Sequence, residues 1–213
     1  MKLSSIGSGL MLACLACVRM NAGNIVSDPG FEAGQAYCNE NQGVACGPLY
    51  PAWTFIHAAS GSDYGIINSS SAAHSGNDYA FFAGWTRGFY DVIQQALATT
   101  PGQFYTLSFW LDTHQDHSDA DFQVYWNGAL VYDDPAGADA AHQFTWTQFT
   151  LSSLQATGSS TVLMFAGYNI PSGDHFDDIV VDSGGSGVPE PATWGLTCGA
   201  VLAMALHRLR TRQ

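Results

Sequence analysis

Positive charge is scarce in this sequence. Between residues 24 and 188 there is no lysine and one arginine, Arg87, against 17 acidic residues, a balance of −16. The other bases, Lys2, Arg19, Arg208, Arg210 and Arg212, sit near the two ends and bring the 213-residue chain to −12. Such a domain repels phosphate, which excludes nucleic acid as a partner. Clamps for phosphoryl or carboxylate substrates are excluded on the same ground. Charge of either sign is sparse, at 11% of residues, yet 6 Trp, 9 Tyr and 12 Phe rule out a disordered acidic tail. Apolar runs occur only at the two ends, so this is not a multi-span membrane protein. No internal repeat of about 20–50 residues appears, and nothing between 24 and 183 has a persuasive helical period.

The two ends read as addresses. Residues 1–22 have the layout of a signal peptide: Lys2, an apolar Ile6–Val18 segment, and Met20-Asn21-Ala22 as a cleavage box. A lipobox at Cys14 or Cys17, each preceded by Ala, is the competing reading. Near the other end Gly184-Gly185-Ser186-Gly187 forms a flexible linker over 184–187. Val188-Pro189-Glu190-Pro191 follows, then Trp194 and an apolar run to Leu206, then three arginines. That run is about 15 residues, short of the ~20 a full span prefers. Trp194 at one edge and the arginines at the other are the anchors of a single-pass transmembrane helix; a terminal helix packed on the domain is the alternative.

In that order of parts, residues 188–213 resemble the PEP-CTERM sorting signal of Gram-negative bacteria. The resemblance implies export, transient anchoring in the inner membrane, and processing by an exosortase, a membrane cysteine protease. It further implies a final place at the cell surface or outside the cell, often in strains that make exopolysaccharide.

Cysteine is scarce too. Of five, Cys14, Cys17 and Cys198 lie in the end segments. Cys38 and Cys46 flank the Gly/Asn-rich stretch Asn39–Ala45, and in an oxidising compartment the pair reads as a disulfide staple. A zinc site is weaker, because structural zinc takes four ligands.

The pattern of 24–183 is period two, with turn residues every 8–15 positions. Leu107, Phe109 and Leu111 alternate on one face of a strand. Phe122, Val124 and Trp126 do so on another, which ends at the hairpin turn Asn127-Gly128. Ile93, Gln95 and Leu97 alternate likewise, and further strands are expected at 53–58, 64–68, 78–83, 144–151, 160–168 and 175–182. Many short strands with Gly/Pro turns predict an all-β fold, a jelly-roll β-sandwich.

The order Asn24-Ile25-Val26 to Gly30-Phe31-Glu32, Ser75-Gly76-Asn77-Asp78, Pro101 to Phe109, and Phe176-Asp177-Asp178-Ile179 resembles galactose-binding-like sandwiches, which include many carbohydrate-binding modules. The resemblance implies that first and last strands are neighbours and that Glu32, Asp177 and Asp178 approach a structural Ca²⁺. Strand parity separates Asp177 from Asp178, so one of the two is expected as a direct ligand. Two solvated acids at a strand end are the alternative. The Asp112–Asp121 run, with His114 and His117, reads as either a metal site or a polar loop; it lacks the spacing of a calcium hand or a zinc protease.

If the alternating apolar residues face the core, Trp110, Asp112, Gln123, Tyr125 and Asn127 face out. Together they are expected to form an amphipathic sugar-binding face, bordered by Trp85 and Arg87. Trp53 and Trp146 are expected in the core. No Gly-x-Ser-x-Gly elbow is present, and 17 acids make any choice of a hydrolytic pair arbitrary. The reading is therefore a non-enzymatic, calcium-stabilised surface protein that binds carbohydrate. The alternatives are a structural or adhesive protein with no sugar ligand and, behind it, a polysaccharide hydrolase.

Overall fold

The structure is a computed structural model and describes residues 23–58, 63–113, 119–135, 143–170 and 172–183. The signal segment 1–22, the linker 184–187 and the sorting segment 188–213, with Val188, Pro189, Glu190 and Pro191, lie outside the described residues, as do His114 and His117. Among the described residues no helix is long and apolar enough to cross a membrane.

Eleven strands form among these residues: β1 (Cys38–Asn39), β2 (Thr54–Ile56), β3 (Tyr64–Asn68), β4 (Asp78–Phe82), β5 (Asp91–Ala98), β6 (Phe104–Thr113), β7 (Ala120–Trp126), β8 (Ala129–Pro135), β9 (Thr147–Gln155), β10 (Ser160–Asn169) and β11 (Asp174–Ser183). They build two antiparallel sheets. Sheet A has the order β1-β3-β4-β11-β6-β9, and sheet B the order β2-β5-β10-β7-β8. The expected all-β sandwich is therefore present. The two-residue β1 has no period of its own to reveal it.

The expected alternation sets the faces. Leu107, Phe109 and Leu111 of β6 are buried, as are Phe122, Val124 and Trp126 of β7. Between the sheets an aromatic cluster centres on Phe176. Its ring centroid lies 4.8 Å from Phe165, 5.3 Å from Phe82, 5.5 Å from Phe122 and 5.7 Å from Phe31. Rings pack here because both inner faces carry large flat side chains that fill the gap at near-crystalline density. Asn127-Gly128 makes the expected hairpin, with φ of 50° and 82°.

The opening segment runs beside the closing strand, as the resemblance implied. Asn24 receives the Val181 amide on Oδ1 and donates Nδ2 to Ile179 O, while Ile179 N donates to Pro29 O. Cys38 and Cys46 are disulfide-bonded and buried. The bridge ties β1 and its loop to the edge of sheet A. Trp53 is in the core, donating Nε1 to Asp28 O. Trp146 is not, contrary to expectation. It precedes β9 and lies over the outer face of sheet A, edge-on to Tyr79.

Candidate functional site

Two places gather polar and aromatic side chains. The first joins Glu32, in the turn after Phe31, to Asp177 and Asp178 of β11. The pairing of β11 with β6 shifts register between Asp177 and Val180, and Asp178 takes a left-handed φ of 48°. This bulge corrects the parity argument. An extra residue lets consecutive side chains reach one side, so both carboxylates approach Gly30. A Cβ built on Gly30 would lie 3.4 Å from Asp177 Oδ1, 3.4 Å from Asp178 Oδ1 and 3.8 Å from Glu32 Cγ. The two aspartate carboxylates thus share the space that Gly30 leaves open, while the Glu32 carboxylate lies against Gly76.

The loop 69–77 between β3 and β4 grips the same carboxylates. Glu32 Oε1 accepts the amides of Asn77 (2.6 Å) and Asp78 (2.9 Å). Asp177 Oδ2 accepts those of His74 (3.1 Å) and Ser75 (3.2 Å). Asp178 receives Ser75 Oγ at 2.7 Å and pairs with His74 Nδ1 at 2.6 Å. Asp177 is fully buried. Burial raises its carboxyl to about 7; the Ser75 amide opposes this, and the Asp178 charge adds to it. Buried Asp78 is raised as well, by burial first, against the opposing bonds of Asn68 and Tyr50. Among the described residues no three His, Cys, Asp or Glu side chains stand as a ready metal cage. Carboxylate oxygens are hard donors, of the kind that Ca²⁺ takes and a soft cation does not, but only those of Asp177 and Asp178 lie together at Gly30.

From this base the loop reaches across the outer face of sheet A. His74 lies flat on Trp110, with centroids 3.8 Å apart at 18°. Trp146 meets His74 edge-on at 5.8 Å and donates Nε1 to Ala72 O at 3.0 Å. Next to them His175 packs edge-on against Tyr79, and its Nδ1 stands 3.5 Å from Asp112 Oδ2.

The second place is the outer face of sheet B. Tyr125 Oη donates to Gln123 Oε1 at 2.6 Å. Gln123 Nε2 donates to Asp133 Oδ1 at 3.0 Å and to Asp121 Oδ2 at 3.4 Å. Tyr90, just before β5, donates Oη to the same Asp121 oxygen and packs edge-on against Tyr168. A hydrogen-bonded row therefore runs from β8 and β7 across β10 to the loop before β5. Leu130, exposed, and Met164, half-buried, flank Tyr125 in register. Trp85 (62% exposed) and Phe89 stand in that loop with Arg87, whose exposed guanidinium places Nε 3.2 Å from Asp119 Oδ1.

The single sugar face expected from the sequence is not formed. Trp110 and Asp112 lie on the outer side of sheet A, whereas Gln123 and Tyr125 lie on the outer side of sheet B. Both strands point their apolar residues inward from opposite sheets, so their outward residues diverge. Trp110 has one ring face covered by His74, and Asp112 is buried beside His175. Asn127 sits at the hairpin tip, donating Nδ2 to Thr157 Oγ1. The strand reading began at Phe122 and so missed Asp121, although Asp121, Gln123 and Tyr125 recur every second residue. Tyr90, Asp133 and His74 carried no local signal, because chain-distant pairing brings them in.

No family model matches the sequence, and no curated protein does. Among solved structures the chain is similar to the carbohydrate-binding module TmCBM61 in complex with beta-1,4-galactotriose. The two share 15% identity over 74% of this chain and 97% of that one, at a TM-score of 0.50. The CBM22-1 xylan-binding domain of Paenibacillus barcinonensis Xyn10C aligns at 16% identity, covering 76% and 95%, with a TM-score of 0.47. The K1 cleaved adhesin domain of Lys-gingipain from Porphyromonas gingivalis aligns at 17%, covering 63% and 92%, also at 0.47. At these identities the likeness is one of fold.

Proposed function

We propose that the protein binds carbohydrate without transforming it, through the outer face of sheet B. The observation that carries this is the row Tyr125–Gln123–Asp121–Tyr90, with Asp133, set beside apolar Leu130 and Met164. A pyranose has an apolar C–H face and a rim of hydroxyls. A tyrosine ring takes the first, and amide and carboxylate groups take the second. The fold is one that solved carbohydrate-binding modules share, which favours the reading without identifying the sugar. The face serves binding because its polar groups hold each other in place.

The same reading includes a structural calcium at Glu32, Asp177 and Asp178. When bound, such an ion supplies positive charge to three carboxylates that have no lysine or arginine beside them among their hydrogen-bond partners. It further includes export and exosortase processing, which rest on the composition of residues 1–22 and 188–213.

The test is a glycan array with the mature protein, in calcium and in chelator. Binding to a defined polysaccharide class, weakened about tenfold in Tyr125→Ala, is the expected result. A flat array in both buffers would overturn the reading.

A further inference from the structure

The polar row on sheet B directs its hydrogens at itself. Tyr125 Oη donates to Gln123 Oε1, and Tyr90 Oη donates to Asp121 Oδ2. Gln123 Nε2 has two hydrogens, one aimed at Asp133 Oδ1 (3.0 Å) and one at Asp121 Oδ2 (3.4 Å). The neighbours fix this amide's orientation, since the reverse would set Oε1 against two carboxylates. Burial first, and then the bond to Asp121, push the Tyr90 phenol above its ordinary range, which keeps it a donor. A carboxylate has no hydrogen to give and a phenol has one. Every side-chain hydrogen on nitrogen or oxygen in the row is therefore engaged within it. Acceptors remain for a ligand: exposed Asp133, half-buried Asp121 and the free lone pairs of the two phenols. Tyr168, behind the row, is buried, and Arg87 at its margin is held at Asp119. The next outward amide, Gln94, stands on β5 beyond Met164.

We infer that this face selects its glycan by hydrogen-bond donors, taking an uncharged sugar with two free neighbouring hydroxyls. One hydroxyl donates to Asp121 and the next to Asp133, two acceptors that lie side by side because a single amide nitrogen holds both. A sugar that lacks either hydroxyl, or carries a carboxylate of its own, is rejected. This rests on the sugar-binding reading of sheet B. The selection is finer than charge. A uronate is repelled by the acidic surface as well, whereas a deoxy sugar is neutral and fails only because it brings no hydrogen to oxygens that can only accept. Tyr125, Leu130 and Met164 still meet its apolar ring face, so the loss falls on the hydrogen bonds and not on stacking.

The test is calorimetric titration of the full-length protein with trisaccharides of glucose, galactose, mannose and xylose, each in its native form and as a monodeoxy series, with C6-uronate forms of the three hexoses. At least one native form is expected to bind. Within its deoxy series, two adjacent positions should each weaken binding about tenfold, with no dependence on salt. The uronate should bind about tenfold more weakly, and added salt should narrow that gap. Asp133→Ala removes one acceptor from an exposed position. In that variant one of the two deoxy losses should disappear while the other stays. Deoxy forms that all bind like the native sugar, or a uronate that binds best, would overturn donor selection and leave sugar binding standing. Both deoxy losses persisting in Asp133→Ala would overturn the assignment of Asp133. No binding by any form would overturn donor selection and the sugar-binding reading together.

Discussion

Asp177 and Asp178 are consecutive, yet their carboxylates lie on one side of Gly30, joined by the Asp178 amide donating to Asp177 Oδ1 at 2.7 Å. Asp177 is raised by burial from 3.8 to about 7. The native state therefore holds a proton that the unfolded chain has released between those values. Stability contributed by this group is fully present below the lower value and is lost as pH rises through 7. Across that interval the loss approaches ~4 kcal/mol. In chelator, melting temperature should climb as pH falls from 8 to 5. Asp177→Asn should flatten the climb, and calcium, by favouring the ionised form, should reduce it. An identical slope in the variant would remove Asp177 as its source. Asp28 and Asp78 are raised too, burial first, and contribute with the same sign.

Phe176 touches four rings at the centre of the sandwich. Phe176→Ala should cost about 3–5 kcal/mol, because both the transferred surface and the cavity count. Denaturant unfolding measures it. A loss under ~1 kcal/mol would mean the rings collapse to refill the site.

Reducing the Cys38–Cys46 bridge opens a loop of sequence separation 8. Chain entropy puts the loss at about 2–3 kcal/mol. A paired Cys38→Ala/Cys46→Ala variant and a thiol-treated wild type should melt at the same lowered temperature. Thiol treatment that leaves melting unchanged would show that the bridge contributes no stability.

Tyr125→Ala should weaken sugar binding about tenfold, or ~1.4 kcal/mol, whereas Trp110→Ala should leave it unchanged. Calorimetric titration separates the two. The reverse pattern would move the primary face to sheet A.

The sequence was most informative where periodicity alone decides. Leu107–Phe109–Leu111 and Phe122–Val124–Trp126 gave both inner faces correctly, since alternation follows from the pleat. It failed where faces must be assigned to sheets. Nothing in residues 104–126 says that the two strands belong to different sheets, and that assignment alone separates Trp110 from Tyr125. Glu32 and the Asp pair were found through the order of short motifs. The bulge at Asp178 was invisible because a non-glycine residue adopts the left-handed conformation there. Ser75-Gly76-Asn77-Asp78, a motif that marks the fold by resemblance, grips the carboxylates through its backbone amides.

The margins of the two sheets carry a last consequence. An open sheet invites a second molecule to add its own strand. Each of the four margins is blunted differently. β1 is two residues long and held by a disulfide, and β2 is three residues long. β8 ends in Asp133-Asp134-Pro135. β9 slips register against β6, with Ser153 at a φ of 64°. The sandwich is thereby built against growth by strand addition, so any self-association has to come from side-chain faces and not from strand-to-strand pairing.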